Sequence, residues 1–435
     1  MSSELSKLCS LVEDGYNVLL HGPGGVGKSW LIDKFRSRYK HEKPSKVVVL
    51  TATTGIAALN IGGITLHRFA GVKTGDADVD VLIKHIAIDK KTVDKWKTID
   101  ILIIDEVSML GETFLGKLDK IAKHIRKNKN PMGGIQMIFS GDFLQLPPVK
   151  DLYVFGGDVW KSLNIKPVVL AEPKRYPDIE FFELLMRARK GILTEQDCNI
   201  IKKRVRCHKK LSNVLQNLKD ENPGDVIKPT LFFSRKKHVE LHNENELKKL
   251  NSKEHEFKCI DEFIKKENFT ESVNTESRHF KLLDENFPRI IKLKVGAQVM
   301  ITANINPEEG LVNGTRGVVH AINSDLSVDV LFLNGSITTI EYYDREVDDD
   351  YGYASRKQLP VMLAFAQTIH KAQGCTLDYA VVDLGPTVFA EGQAYVALSR
   401  CRTFKGLFIS EFLPGVFKVN KDALNYVNTL EDVYN

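Results

Sequence analysis

The chain has 435 residues, of which 43% are hydrophobic and 27% charged, and 61 Lys+Arg against 56 Asp+Glu leave a net charge of +5. At about 150 residues per domain this length allows roughly two or three domains, each with enough apolar residues for a core. The mild basicity permits a nucleic-acid partner without demanding one, and purely aliphatic runs such as Val47–Leu50 are far too short to cross a bilayer.

Elements taken in chain order begin with Leu5–Asn17, where Glu13 and Asp14 and the lack of a basic start with an apolar run argue against a signal peptide. Asn17–His21 is a short apolar run of strand character. It enters Gly22-Pro23-Gly24-Gly25-Val26-Gly27-Lys28-Ser29, a full GxxxxGK[ST] match, and Trp30, Leu31, Lys34 and Phe35 then follow at helical spacing. Strand, glycine loop and helix in that order make a phosphate-binding loop: backbone N–H groups converge on phosphates and the helix N-terminus adds partial positive charge. Lys28 is expected to reach the β- and γ-phosphates of ATP and the Ser29 hydroxyl to ligate magnesium.

A second strand, Val47–Leu50, precedes Thr51-Ala-Thr-Thr54-Gly55, whose hydroxyls and amides suit a phosphodiester backbone. Taken singly, Thr54, Gly55, Thr65 and His67 read as caps or loop polar groups. The third strand, Ile101–Ile104, ends in Asp105-Glu106, at the sheet edge that also holds the phosphate loop. Asp105 suits the magnesium, and Glu106 is placed to orient and deprotonate an attacking water. Lys120, Lys123, Arg126, Lys127 and Lys129 read as the solvated face of a helix whose Leu118, Ile121 and Ile125 pack inward. A fourth strand, Gln136–Ser140, leads into Gly141-Asp-Phe143-Leu-Gln145-Leu-Pro-Pro148. Alternating strands and helices predict an α/β fold with a parallel sheet covered on both faces.

Helical spacing over Asp178–Lys190 places Phe181, Phe182, Leu184, Leu185 and Met186 in a core stripe. Thr230–Phe233 and Ala380–Asp383 read as strands, the charged stretch 248–289 has no useful pattern, and Val328–Leu333, Asn334-Gly335, Ile337–Glu341 reads as a hairpin with a tight turn. The cysteines Cys9, Cys198, Cys207, Cys259, Cys375 and Cys401 are scattered without a CxxC pair, which fits a reduced, intracellular protein with neither disulfide framework nor zinc site.

Several boxes together resemble the Pif1-like DNA helicases of superfamily 1: Asp105-Glu-Val-Ser-Met-Leu110, Gly141–Pro148, Lys117–Arg126 continuing through Gly133–Val149, Val295–Val299, Leu311–Thr315, Phe365–Lys371 with Ala372-Gln-Gly374, and Glu391–Arg400. The resemblance covers nearly the whole chain in the family's order. It implies two tandem RecA-like domains: residues 1–175, with a small wedge insertion at about 71–98, and residues 176–435, with a small inserted SH3-like β-barrel at about 317–358. It implies an ATP- and magnesium-dependent helicase that moves 5′ to 3′ on single-stranded DNA and opens single-strand/duplex junctions without sequence preference. Replication, repair, recombination and telomere maintenance are the settings that follow.

The resemblance also assigns residues. Gln145 would sense the γ-phosphate, and Arg175 and Arg400 would be arginine fingers. Thr54, Gly55, Thr65, His67, Phe143, Thr368, His370 and Lys371 would contact DNA, and Gly374, which allows close backbone approach, is grouped with the nucleotide-binding residues. Two departures stand out: Leu5–Asn17 lacks the glutamine with which the family reads adenine, and Arg175 is followed by Tyr176 where the family shows glutamine. Those departures and the short wedge keep open a rival reading, a nucleotide-switched single-strand-binding factor that clamps DNA without unwinding. The expected state is a monomer off membranes, in a nucleus or mitochondrion for a cellular protein or at a replication site in host cytoplasm for a viral one. A compact core of this kind suits a large DNA virus and an excised catalytic core alike.

Overall fold

The computed structural model describes residues 3–72, 75–208, 230–265, 280, 283–284, 287–303, 305–306, 309–311, 314–332, 334–348, 352–374, 377 and 379–432. The chain divides into two compact units, one of residues 1–208 with 369–435 and one of residues 209–368. The expected boundary at 175 and 176 is therefore not a boundary between these units, because residues 176–208 and 369–435 group with the first 175.

In the first unit, α1 (Ser3–Glu13), β1 (Asn17–His21), α2 (Lys28–Glu42), β2 (Val48–Ala52), α3 (Gly55–Asn60), β3 (Ile64–Thr65), α4 (Leu66–Ala70), α5 (Val79–Ile88), α6 (Lys90–Thr98), β4 (Ile101–Asp105), α7 (Glu112–Arg126), β5 (Gln136–Gly141), α8 (Asp158–Ser162), β6 (Ile165–Val169), α9 (Ile179–Lys190) and α10 (Glu195–His208) follow in order. The six strands form one sheet in the order β3-β2-β4-β5-β1-β6 with every pair parallel. Strand periodicity explains why it is covered on both faces. Leu19, Leu102, Ile104, Met137 and Phe139 point into one apolar cluster, with Leu115, Leu118 and Ile121 of α7. Val18, Leu20, Ile101, Ile103 and Ile138 point into the other, with Leu31, Ile32 and Phe35 of α2. Each fully buried aliphatic side chain contributes about 1.5–3 kcal/mol.

The later part of this unit returns to the same core. The helix Lys421–Asp432 inserts Ala423, Val427 and Leu430 into the cluster around Leu102, and Trp160 Nε1 donates to Tyr426 Oη at 3.0 Å. The helix Gln393–Leu398 is buried at every position.

α7 buries Leu118, Ile121 and Ile125 as its spacing predicts. Lys120, Lys127 and Lys129 face solvent, whereas Lys123 pairs with Asp119 at 2.7 Å and Arg126 Nη1 donates to the Trp96, Lys97 and Ile99 carbonyls that end α6. α9 buries Phe181, Leu184 and Leu185, so its stripe is core. The expected insertion 71–98 contains α5 and α6, packed against α7.

In the second unit, β7 (Thr230–Phe233) pairs in parallel with a short strand, Ala366–Thr368. Between them β8 (His255–Lys258), β9 (Ile260–Lys265), β10 (Ile290–Leu293), β11 (Gln298–Ile301), β12 (Arg316–Ile322), β13 (Val328–Phe332), β14 (Ile337–Ile340), β15 (Tyr343–Asp348), β16 (Gly352–Gln358) and β17 (Val361–Leu363) form antiparallel sheets in the orders β14-β13-β12-β11-β17, β10-β8 and β15-β16-β9. Val328, Val330 and Phe332 alternate into a core with Phe257, Val299, Ile301 and Val361. The expected hairpin is β13–β14, with Gly335 at φ 82° and its N–H on Phe332 O at 3.0 Å. Leu333 lies outside the described residues, as do Val312, Asn313, Cys375 and residues 266–279, 281–282 and 285–286 of the charged stretch 248–289. Antiparallel pairing reaches from 255 to 363, well beyond the expected 317–358.

Among the described residues no helix is long and apolar enough to cross a membrane, and Cys9, Cys198, Cys259 and Cys401 are in no disulfide.

Candidate active site

The carboxyl ends of the parallel strands carry the loops that the sequence marks as chemical, as open α/β sheets dictate. The phosphate loop leaves β1 and turns sharply into α2. A Cβ on Gly22 would stand 2.3 Å from Leu170 O, and Gly25, at φ 86°, would bring one to 2.6 Å from the Tyr176 ring. Lys28 Nζ donates to Gly22 O at 2.7 Å and Pro23 O at 2.8 Å, which folds the ammonium under the loop. Burial lowers its pKa against the pull of Asp142, Glu106 and Asp105. Ser29 is exposed at the first turn of α2.

Asp105 ends β4 and is buried; burial, then the adjacent Glu106 carboxylate, raises its pKa to about 6. Glu106 sits in the left-handed region at φ 53° and ψ 48°, a conformation that costs a non-glycine residue about 1–3 kcal/mol unless its surroundings hold it. Three contacts do so. Glu106 N donates to Asp105 Oδ1 at 2.9 Å, Thr53 Oγ1 donates to Glu106 O at 2.9 Å, and Gln373 Nε2 donates to Glu106 Oε2 at 3.0 Å.

The opposite wall is cationic. Arg400 is 1% exposed and is aimed by Nε to Val396 O at 2.7 Å and Nη2 to Ser399 Oγ at 2.7 Å. Arg175 is depressed in pKa, first by burial and then by Arg400, so an anion between the two guanidiniums would relieve both. Tyr176, at the departure from the family pattern, donates from its hydroxyl to Ser399 O at 3.0 Å while its ring covers Gly25. Gln145 is buried and its Oε1 has no hydrogen-bond partner. Gly25, Gly27, Lys28, Ser29, Asp105, Glu106, Gln145, Arg175, Gly374 and Arg400 line one cleft of about 420 Å³. Sequence-expected catalytic and metal residues thus converge, and Gly22, Pro23, Gly24 and Val26 shape the loop itself.

The residues expected at DNA lie elsewhere along the same sheet edge or apart from it. Thr54 Oγ1 accepts from Ala57 N at 3.2 Å and Thr65 Oγ1 from Arg68 N at 3.3 Å, so each caps a short helix, with Gly55 exposed at the start of α3. His67 stacks on Phe114 at 4.4 Å. His370 is half-buried against Phe389, its pKa lowered by burial; Lys371 is exposed, and Gly374 O accepts from Asn60 Nδ2 at 2.8 Å. Thr368 ends the last strand of the second unit. Phe143 requires a correction: it is fully buried amid Tyr153, Phe155, Trp160 and Tyr426, so it offers no face to a nucleic-acid base.

Other residues of the site escape the sequence reading. Tyr395 and Gln373 stand inside quoted boxes, and only their positions reveal their partners. Arg189 had one signal, a charge on the apolar face of α9 four residues after Leu185. It forks Asp142 with Nε to Oδ2 at 2.9 Å and Nη2 to Oδ1 at 2.8 Å, and reaches Glu431 and His21 Nε2. Gln136, the first glutamine in the chain, donates from Nε2 to Val12 O and Tyr16 O, which closes the turn between α1 and β1.

With this geometry in place, the relatives are informative. Residues 6–166 match the model of PIF1-like helicase, and residues 282–322 match that of the DNA helicase Pif1 2B domain. The chain is 37% identical over 442 residues to the ATP-dependent DNA helicase PIF1 of Danio rerio, covering 99% of this chain and 64% of that protein. The chain thus spans less than two thirds of the length of that relative. The crystal structure of Pif1 helicase from Candida albicans superposes with a TM-score of 0.83 at 31% identity, covering 99% of both chains. Pif1 helicase from Bacteroides, in complex with ADP-AlF3 and ssDNA, does so with a TM-score of 0.72 at 27% identity, covering 99% of this chain and 97% of that one. The fold is thus the α/β architecture of Pif1 helicases, and the chain belongs to the Pif1-like helicase family.

Proposed function

We propose that this chain is an ATP- and magnesium-dependent DNA helicase that moves 5′ to 3′ on single-stranded DNA. The observation that carries the reading is the single cleft that gathers Lys28, the Asp105–Glu106 pair and the two arginines. Glu106, held by Gln373, orients the attacking water and takes its proton as the bond to the γ-phosphorus forms and the bond to the departing ADP oxygen breaks. Lys28, Arg175 and Arg400 neutralise the charge that builds on the transferred phosphoryl group.

Ser29 and Asp105 would hold the magnesium, which when bound supplies charge neutralisation at the phosphate oxygens. The fit rests on Asp105: its buried carboxylate gains from a cation. Two RecA-like domains, a wedge at α5–α6 and an SH3-like barrel within the antiparallel unit complete the reading, and the family relationship supports them. Thr54, Gly55, Thr65, His67, Thr368, His370 and Lys371 would grip the strand through its backbone, so binding should be sequence-independent and salt-sensitive.

Lys28→Ala is expected to abolish DNA-stimulated ATP hydrolysis while leaving single-strand binding measurable by anisotropy. Undiminished hydrolysis would remove the assignment of the cleft. ATP-dependent strand release from a 5′-tailed partial duplex, and none from a 3′-tailed one, is the expected helicase result. Release from neither would favour a nucleotide-switched clamp.

A further inference from the structure

The helix Gln393–Leu398 places one polar tip against the phosphate loop that no assigned role explains. Tyr395 is 2% exposed, and its hydroxyl accepts a hydrogen bond from Gly24 N at 3.1 Å. A loop amide of this kind is what a phosphate oxygen normally takes, so the phenol oxygen occupies a phosphate position. The position can be read from its neighbours. A methyl group added at Gly24 would stand 3.7 Å from Tyr395 Oη, 3.7 Å from Arg400 Nη2 and 3.8 Å from Gln145 Nε2. Three side-chain tips thus surround one point of the loop, and two of them belong to residues assigned above to the outermost phosphate. The Gly24 amide therefore faces the γ end of the cleft.

We propose that Tyr395 is a γ-phosphate contact that separates nucleoside triphosphate from diphosphate. The inference rests on the reading of the cleft as an ATP site. With a triphosphate bound, the Gly24 N–H turns to a phosphate oxygen, and the phenol changes role from acceptor to donor, giving its O–H to the same phosphoryl group. With a diphosphate bound, the Gly24–Tyr395 hydrogen bond stays as it is. No bond to phosphorus forms or breaks at Tyr395. It supplies only a hydrogen bond that exists with three phosphates and not with two.

The test compares binding of a non-hydrolysable ATP analogue and of ADP, each with magnesium, to the full chain by calorimetry. Tyr395→Phe keeps the ring and removes the oxygen. Its analogue affinity is expected to fall about ten- to a hundredfold, the range of a hydrogen bond to a charged group, while ADP affinity stays within about twofold. Tyr395→Met serves as the second variant if the first fails to fold, with the same expected loss of selectivity. An equal fall for both ligands, or no change for either, in a variant that melts like the parent overturns the proposal. Lys28→Ala separates this failure from a wrong site. If Lys28→Ala weakens both ligands while Tyr395→Phe leaves their ratio unchanged, only the role of Tyr395 is lost. If Lys28→Ala leaves both ligands tightly bound, the cleft itself is misread.

Discussion

Two buried arginines, one in each unit, are anchored by the same chemistry in different surroundings. Arg189 of the parallel-sheet unit is 2% exposed and forks Asp142, which is fully buried, before reaching Glu431, which is 27% exposed. Arg356 of the antiparallel unit is fully buried too, but it forks Asp261 at 2.6 and 2.7 Å and meets Asp284 at 2.6 Å, and these partners are 23% and 43% exposed. A carboxylate with access to water can regain its hydration when its partner is lost, whereas one sealed in the core cannot. The first network lies directly behind the phosphate loop, with His21 the last residue of β1 and Asp142 the first after β5. The sealed pair is therefore where a local change should reach both fold and site, and the wetter pair is where it should reach the fold alone.

The sharpest way to break this contrast is Arg189→Met, which leaves Asp142 charged and unpaired. A stability loss of about 3–5 kcal/mol is expected in denaturant unfolding, together with weakened nucleotide binding. Arg356→Met should cost less, about 1.5–3 kcal/mol, and leave nucleotide affinity unchanged by calorimetry. Equal losses from the two variants would show that solvent access of the partners is irrelevant.

A pH titration sharpens the same point through His21. Burial first, and then the Arg189 charge, lower its pKa from the ordinary 6.5 to about 3. As pH falls below 6.5 the unfolded chain takes up a proton that the folded chain refuses, so the stability present above 6.5 is lost toward pH 3. Between pH 6.5 and 5 the loss attributable to this group is about 2 kcal/mol, at 1.36 kcal/mol per pKa unit. His21→Gln should remove that part of the acid sensitivity when the unfolding midpoints of variant and parent are followed across the range. A variant with an unchanged pH slope would refute the buried neutral imidazole. At the small end, Arg38 and Glu42 form an exposed pair on α2, and Arg38→Gln should leave the thermal midpoint unchanged.

Legibility in the sequence followed the range of the interaction. The phosphate loop, the Asp105–Glu106 pair and the inward face of α7 are local patterns: glycine spacing, four apolar residues before two acids, a 3.6-residue stripe. Thr54 and Thr65 show the limit of such patterns, since the capping hydrogen bonds they make are also what isolated threonines make at any helix start. Phe143 shows the reverse error. The family resemblance placed Phe143 at DNA, yet Trp160 and, from far along the chain, Tyr426 pack against its buried ring. The antiparallel region from 255 to 363 was largely hidden because its pairings join strands separated by long charged segments with no periodicity.

The sequence alone determined that a phosphate loop and an acid pair share one edge of a parallel sheet, because strand alternation and loop chemistry are set by residues within a few positions of one another. Only the tertiary structure decided what completes that edge. Gln373 on Glu106, Tyr395 on Gly24 and Arg189 on Asp142 are hydrogen bonds across 267, 371 and 47 positions. No local propensity specifies such pairs. They form because burying the surrounding apolar clusters brings these polar tips where none can be left without a partner except at a cost.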